Sequence, residues 1–290
     1  MEMMKKQNFG LELEFKNITR KEAAFAIANK FGWSTPEYTS SYSAWYTIDN
    51  QGRKWKVVKD CSINGREDEQ CELVTPILKY EDIELLQDVI RLLRKTGAKV
   101  DWSCGIHIHV DKANHNAKTL RNLINIVNSK EDMMFQAFGV DGHRKSSFCK
   151  PIRSDLVEAV NKAKTNDLSV LGDMWYKGYN DRCTHYSSSR YFGLNLHNVW
   201  YAQTVEFRYF NATLHAGEVK AYIQFCLAIS AQAIQLKNAR STKTQSDNVK
   251  FTFRVFLNNL GLIGDEYKTA RLHLLKNLEG NAAWRYGRPA

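Results

Sequence analysis

Two acidic side chains interrupt the apolar pattern of the first segment that the sequence predicts as a β-strand. The segment Phe9–Phe15 reads FGLELEF, and its apolar residues alternate with Gly10, Glu12 and Glu14. Residues i and i+2 of a strand share one face and lie about 7 Å apart, so the glutamates form a carboxylate pair. Neighbouring carboxylates repel each other unless a cation or water compensates their charge. The pair is therefore either a cation site or a solvated, inert face.

Two histidines repeat this pattern in the segment Cys104–Asp111, which reads CGIHIHVD. Its β-branched residues face one way, and His107, His109 and Asp111 face the other. A lone histidine is more often structural than a ligand, but two imidazoles side by side on a strand are a common metal-ligand geometry. We interpret this pair as a functional one.

A third strand pattern, Thr204–Phe210, carries Glu206 and Arg208 on one face. The two are either an ion pair within the strand or a metal-binding carboxylate beside a guanidinium that grips phosphate. Further candidates lie in or at the ends of neighbouring strand patterns: Asp60, Glu72 and Arg190.

These segments together offer at least four carboxylates, two histidines and two arginines. That inventory suits two hard divalent cations with a polyphosphate between them. Magnesium suits it better than zinc, because carboxylates outnumber histidines and no cysteine lies at ligand spacing. The G-x-G-x-x-G and Walker A motifs are absent, so the two common nucleotide-binding loops are excluded.

Short strands and helices must position these residues. Hydrophobic periodicity predicts helices at 19–31, 81–95, 117–138, 154–164, 217–238, 248–260 and 265–278. Further strands are predicted at 42–48, 54–60, 70–75, 98–110 and 191–196. The regular βαβ period is missing, which favours an α+β fold with a mixed or antiparallel sheet.

Composition excludes several protein classes. The 290 residues are 43% hydrophobic and 25% charged, which excludes a disordered or collagen-like chain. The net charge of +10 favours acidic partners such as nucleotides, phosphates, carboxylates or nucleic acid. Six unevenly spaced cysteines indicate reduced thiols. No apolar stretch is long enough for a membrane span. No apolar run follows the N-terminal lysines, as it would in a secretory signal. We therefore expect a cytoplasmic protein.

Five motifs occur in a fixed order: G-x-E-x-E, D-x-S…E-L-V-T-P, C-G-x-H-x-H-V, R-Y-x-G-x-N-L and E-F-R-x-F-N-x-T. In this order the sequence resembles the amidoligases, carboxylate–amine ligases related to glutamine synthetase and glutamate–cysteine ligase. The resemblance implies one catalytic domain over residues 1–290, with a motif-bearing core at 8–227 and a helical C-terminal extension at 228–290. It implies a glutamine-synthetase-like fold, in which a curved, mostly antiparallel sheet has helices packed outside.

The resemblance also implies ATP and two Mg²⁺ ions, with Mn²⁺ as an alternative ion. Glu14 and Glu72 would hold the ion nearest the acceptor carboxylate. The ion that bridges the ATP phosphates would be held by Glu12, His107 and Glu206. Glutamine synthetase has two further glutamates after its E-x-E strand, whereas only one here has a clear motif. Asp60 or water would then complete the first metal site.

Catalytic roles are implied for Glu206 and for three basic residues. His109 would lie close to the phosphates, Arg208 would contact the transferred γ-phosphoryl group, and Arg190 would neutralise phosphate or substrate carboxylate. The reaction would join a carboxylate to an amine through an acyl phosphate. The substrates would be an amino acid, a peptide or a protein tail. Substrate choice is expected within 111–190, at Trp175, Tyr176 and Tyr179 unless these rings simply pack the core.

Two other functions are compatible with parts of the sequence. His107-x-His109-x-Asp111 resembles the start of a metal-dependent hydrolase motif, but Lys112 stands where that motif has its next ligand. The positive charge and the 12% aromatic content would also allow a nucleic-acid-binding protein without catalysis. The basic residues are, however, spread along the chain and match no known binding module.

Overall fold

The computed structural model describes residues 2–32, 35–179 and 181–286. Its strands, in chain order, are β1 (Phe9–Phe15), β2 (Glu37–Thr39), β3 (Ala44–Ile48), β4 (Lys54–Val58), β5 (Cys71–Val74), β6 (Gly105–Asp111), β7 (Leu194–Asn195) and β8 (Thr204–Asn211). Its helices are α1 (Glu2–Lys5), α2 (Arg20–Phe31), α3 (Ile83–Thr96), α4 (Ala117–Ala137), α5 (Gly142–Ser147), α6 (Ser154–Ala163), α7 (Leu168–Tyr176), α8 (His197–Tyr201), α9 (Ala216–Gln235), α10 (Val249–Asn259) and α11 (Lys268–Leu275). The fold is mixed α/β, with an open antiparallel sheet and helices.

The chain divides into two compact units. We call Asn8–Ile108 with Phe210–Lys220 the carboxylate unit, and Met1–Gln7 with His109–Tyr209 and Ala221–Ala290 the arginine unit. The expectation of one catalytic domain over 1–290 stays a prediction.

Strands in the carboxylate unit lie in the order β2-β3-β4-β5-β1-β6. The pairs from β2 to β5, and β5 with β1, are antiparallel. The alternating apolar residues of β1, such as Leu11 and Leu13, are fully buried. Helix α2 packs against β3, β4 and α3. The E-x-E strand therefore lies inside the sheet, between β5 and β6, as its hydrophobicity predicts.

Local signals set the ends of the helices in this unit. Thr19 accepts a hydrogen bond from the Glu22 backbone, and the Glu22 side chain accepts one from the Thr19 backbone, so a capping box begins α2. Helix α3 ends at Gly97, whose φ of 110° lies in the left-handed region that glycine adopts without strain. A hairpin around Asn50-Gln51-Gly52 joins β3 and β4, which pair antiparallel.

The arginine unit pairs β7 with β8, antiparallel, and surrounds one face of β8 with helices. Leu194 lies opposite Phe207, and Asn195 lies opposite Glu206. Phe138, next to α4, packs edge-on against Phe225 of α9 and near Tyr209 of β8. These rings form the centre of the apolar core.

Two predicted strands are shorter than expected. Of the 98–110 segment only Gly105–Val110 is extended into β6, which continues to Asp111, and of 191–196 only Leu194–Asn195 pairs. Helix α7 was not predicted, because Gly172 interrupts its helical pattern. Within the described residues, no helix combines the length and the apolar character that crossing a bilayer requires.

Candidate functional site

Register brings two glutamates of the carboxylate unit directly opposite each other. Glu14 of β1 pairs with Glu72 of β5, so both side chains project from the same face of the sheet. Glu14 is only 4% exposed, and Glu12 lies two residues away on the same face. Like charges opposite each other destabilise a sheet, and burial adds a desolvation cost. The arrangement therefore calls for a positive charge.

His107 of β6 lies between the two glutamates of the E-x-E strand. Its Nδ1 is 3.0 Å from Glu12 Oε2, and its Nε2 is 3.7 Å from Glu14 Oε1. The Gly105 backbone N–H donates to Glu14 Oε2 at 2.6 Å. The side chains of β1 and β6 are thus held against one another within the carboxylate unit.

Two groups of possible metal ligands lie wholly within the carboxylate unit, and Glu72 belongs to both. Glu12, Glu72 and His107 form one group, and Glu14, Asp60 and Glu72 form the other. In each group the ligand atoms lie within 4.8 Å of one another. Together the two groups offer four carboxylates and one imidazole, which suit hard cations such as Mg²⁺ or Mn²⁺. Glu14 and His107 are buried, and the other three are half-buried, so the donor set fits two such ions.

Asp60 occupies the position that sequence reasoning left open. Asp60 follows β4, and its carboxylate lies close to those of Glu14 and Glu72. From the sequence, Asp60 could be named only as an alternative to water. The acidic run before Glu72 has another role. Glu67 pairs with Lys59 at 2.6 Å, and Asp68 pairs with Arg66 at 2.8 Å.

A buried ion pair on β8 marks the arginine unit. Glu206 is 2% exposed, and its Oε1 accepts a hydrogen bond from Arg208 Nη1 at 2.5 Å. Its Oε2 accepts from the side-chain amides of Asn195 and Asn198, at 2.5 and 2.6 Å. Three donors fix the orientation of this carboxylate. The Arg208 Nε also donates to the Phe148 carbonyl at 3.2 Å, which anchors the guanidinium.

Neither asparagine was assigned a role from the sequence. Asn195 lies in the R-Y-x-G-x-N motif and opposite Glu206, and Asn198 follows on α8. The signal that identifies Asn195 is the motif itself, since an amide in a buried strand requires a partner. Asn198 has no such signal, because its contact depends on how α8 folds back.

His109 and Arg190 complete the predicted basic residues of this unit. His109 Nδ1 lies 3.1 Å from Thr204 Oγ1. Arg190 packs its guanidinium 5.0 Å from the Tyr186 ring and 4.9 Å from the Tyr191 ring. Its buried Nε has no hydrogen-bond acceptor among the described residues. An orphaned guanidinium donor is suited to an anionic ligand.

The two histidines of the H-x-H motif have different surroundings. His107 joins the carboxylates, and no candidate metal group of described residues contains both histidines. Asp111 accepts from the Ala113 backbone at 2.8 Å, which is a turn contact. The geometry therefore gives no support to the hydrolase alternative.

Comparison with known protein families finds a match over most of the chain. A family model described as "Putative amidoligase enzyme" matches residues 5–230.

The chain belongs to the amidoligase family.

The family supports a ligase that joins a carboxylate to an amine. Among solved structures, this amidoligase is similar to a bifunctional glutathione synthetase from Pasteurella multocida, with a TM-score of 0.47 and 13% identity. The match covers 95% of this chain and 47% of that one, so the amidoligase spans about half the length of that protein. Comparison with curated proteins finds no match.

The aromatic residues expected to select the substrate line one cavity in the arginine unit of the amidoligase. Trp175, Tyr176 and Tyr179 contribute to a cavity of about 310 Å³, together with three cations, a carboxylate, two hydroxyls and a further ring: Lys150, Arg153, Lys177, Asp181, Ser188, Ser189 and Phe192. Trp175 is 2% exposed, and its indole Nε1 has no acceptor among the described residues. Trp175 and Tyr176 thus pack the core and also line this cavity.

A buried glutamate on α4, which sequence reasoning missed, anchors β8 from its apolar face. Glu131 accepts hydrogen bonds from the Ile152 backbone at 3.0 Å and from the Tyr209 hydroxyl at 2.7 Å. Burial raises the pKa of Glu131 to about 7. Tyr209 points away from Glu206 and Arg208 on the same strand, so this contact positions the strand that carries them. The available signal is a single charge on the apolar face of a predicted helix.

Proposed function

We propose that this amidoligase is an ATP-dependent carboxylate–amine ligase that works through an acyl phosphate. The observation that carries the proposal is the cross-strand pair Glu14–Glu72, with Glu12, Asp60 and His107 around it. Four carboxylates this close together, one buried and three half-buried, repel one another, and bound cations would stabilise them. Divalent cations beside carboxylates are what phosphoryl transfer from ATP requires.

The proposed reaction has two steps. A carboxylate oxygen of the substrate attacks the γ-phosphorus of ATP, the bond to the β-phosphate oxygen breaks, and ADP leaves. The uncharged amine then attacks the acyl carbon, the bond from that carbon to the phosphate oxygen breaks, and phosphate leaves. The nitrogen loses one proton to solvent as the amide forms. Phosphate therefore departs with one oxygen that came from the carboxylate.

Residues of the carboxylate unit would hold two magnesium ions. Glu14, Asp60 and Glu72 would hold the ion nearest the substrate carboxylate, and Glu12 and His107 would hold the ion on the ATP phosphates. Bound magnesium would neutralise charge on phosphate oxygens. Because Glu72 belongs to both groups, its loss should weaken the binding of both ions.

Residues of the arginine unit would act on the phosphates. Arg208 would contact the γ-phosphoryl group, and His109 would lie near the phosphates. Arg190 would bind phosphate or carboxylate, which its orphaned buried Nε supports. Glu206 is proposed as a further metal ligand on the basis of the sequence resemblance to the amidoligases. Its three donors support a fixed orientation.

The cavity lined by Trp175, Tyr176 and Tyr179 is proposed to select the substrate. Its lysines and arginine suit a carboxylate, Asp181 suits an ammonium group, and its rings suit an apolar side chain. We further propose a glutamine-synthetase-like sheet, since the E-x-E strand lies between β5 and the H-x-H strand. A cytoplasmic location agrees with its six free cysteines and with a supply of ATP.

The direct test is to incubate the protein with Mg²⁺, ATP and a mixture of amino acids, and to measure ADP and amide products by mass spectrometry. With a carboxylate substrate labelled with ¹⁸O, we expect one labelled oxygen in the released phosphate. Amide formation with unlabelled phosphate would exclude the acyl phosphate.

The metal assignment is tested by calorimetric titration of Mg²⁺ or Mn²⁺. Glu72→Gln should weaken binding at both sites by at least about tenfold, since it removes a charged ligand from each. Glu67→Gln is the matched control, because that side chain pairs with Lys59 outside both groups. Equal affinities for the two variants would refute the assignment.

A further inference from the structure

More than half of the net positive charge of the chain comes from residues beyond the part that matches the family. Residues 231–290 contain ten lysines and arginines but four aspartates and glutamates. This stretch thus contributes +6 to the net charge of +10. The family match ends at residue 230, so the metal and phosphate residues do not account for this charge.

Helices α10 and α11 gather part of this charge around one groove in the arginine unit. The groove has a volume of about 450 Å³. Of the nine described residues that line it, none is acidic and five are basic: Lys250, Arg254, Lys268, Arg271 and Lys276. Leu272 and Leu275 add an apolar strip, and Leu272 is 68% exposed. A cationic groove with an exposed apolar strip is a binding surface for an amphipathic anion.

Backbone contacts hold two of the cations in place. Arg254 Nη1 donates to the Ala282 carbonyl, and Arg271 Nη1 donates to the Leu262 carbonyl, both at 2.8 Å. A guanidinium has five N–H donors, so each retains donors for a ligand after this bond. Fixing the side chains in advance lowers the entropy cost of binding.

The spacing of the cations fits an extended chain better than a single anion. Lys268 and Lys276 lie eight residues apart, at the start of α11 and just after its end, and a helix rises about 1.5 Å per residue. They are therefore about 12 Å apart, which three to four residues of an extended peptide would span at about 3.3 Å each.

We propose that this groove binds an acidic polypeptide, and that the carboxylate substrate of the ligase is a Glu- or Asp-rich protein segment. The assignment of the carboxylate substrate rests on the proposed function. Leucine side chains suit the aliphatic parts of a peptide. Single-stranded nucleic acid is bound by aromatic stacking, and none of the nine described lining residues is aromatic.

The test is fluorescence anisotropy with a labelled peptide of eight glutamates, in the absence of ATP and Mg²⁺. Binding then does not depend on catalysis, so failure of the ligase reaction and failure of this proposal are separate results. We expect binding that weakens with salt. The Lys250→Glu/Lys268→Glu variant should bind at least about tenfold more weakly, because like charges across an interface are costly.

The matched control is Lys162→Glu/Lys237→Glu, which makes the same charge change at two exposed lysines outside the groove. It should bind within about twofold of the parent chain. Leu272→Glu, at an exposed position that does not support the core, is the second groove variant and should also weaken binding. Equal binding by groove and control variants, or preferential binding of a twelve-nucleotide DNA through the groove, would overturn the proposal.

Discussion

The buried carboxyl group of Glu131 makes the stability of the protein depend on pH in a predictable direction. Its side chain has no exposure to solvent, and burial raises its pKa from 4.5 to about 7. Burial also raises the pKa of the Tyr209 hydroxyl, which therefore stays protonated and donates to Glu131. In the folded chain Glu131 remains largely neutral up to about pH 7, whereas in the unfolded chain it ionises near pH 4.5.

The size of the effect follows from the two pKa values. A raised pKa in the folded state stabilises the protein fully below the unfolded value, and this contribution is lost as the pH rises through the folded value. The difference between the two pKa values corresponds to about 3 kcal/mol at about 1.36 kcal/mol per pKa unit. Between pH 5 and pH 8 the loss amounts to about 2–3 kcal/mol.

Urea unfolding of Glu131→Gln at pH 5 and pH 8 checks this value. Glutamine has the same shape and does not titrate. Its oxygen can accept from the Ile152 backbone, and its amide can donate to Tyr209. Between pH 5 and pH 8 we expect the free energy of unfolding of the parent chain to fall by about 2–3 kcal/mol more than that of Glu131→Gln. Glu158→Gln, an exposed residue of α6, should follow the parent. Parallel pH profiles of the parent and Glu131→Gln would refute the reasoning.

Three further substitutions test buried contacts within the two units. Gly193→Ala should lower the free energy of unfolding by about 3 kcal/mol in urea titrations, because an added Cβ would overlap the buried ring of Tyr209. Asp49→Ala should lower it by about 3–5 kcal/mol, since this buried side chain accepts from the Arg53 guanidinium and the Trp55 indole. A loss below 1 kcal/mol in either would contradict the packing described. Asn198→Ala should reduce kcat/KM for ADP formation at least about tenfold, since a hydrogen bond to a charged group contributes about 1.5–3 kcal/mol. An unchanged kcat/KM would remove it as a positioning residue.

The sequence predicts a helix end well when residues close to that end in the sequence determine it. Thr19 and Glu22 cap α2, and Gly97 ends α3, where the sequence placed a start and a stop. The prediction of a full strand over 191–196 was wrong, because the shorter strand depends on a contact with a residue distant in sequence. Gly193 packs against the Tyr209 ring, and a short 3₁₀ helix, Ser188–Arg190, ends directly before the segment.

The same distinction between local and long-range contacts applies to the candidate metal groups. Strand periodicity predicts that Glu12 and Glu14 share a face, because this follows from residues two apart. It does not predict that Glu14 meets Glu72, since a slip of one residue between β1 and β5 would turn one of them to the other face. That register is fixed by the apolar residues that alternate with the glutamates, such as Leu13 opposite Leu73, both fully buried. The same alternation that buries the core therefore forces the carboxylates together. Their repulsion is a consequence of folding, which a bound cation relieves.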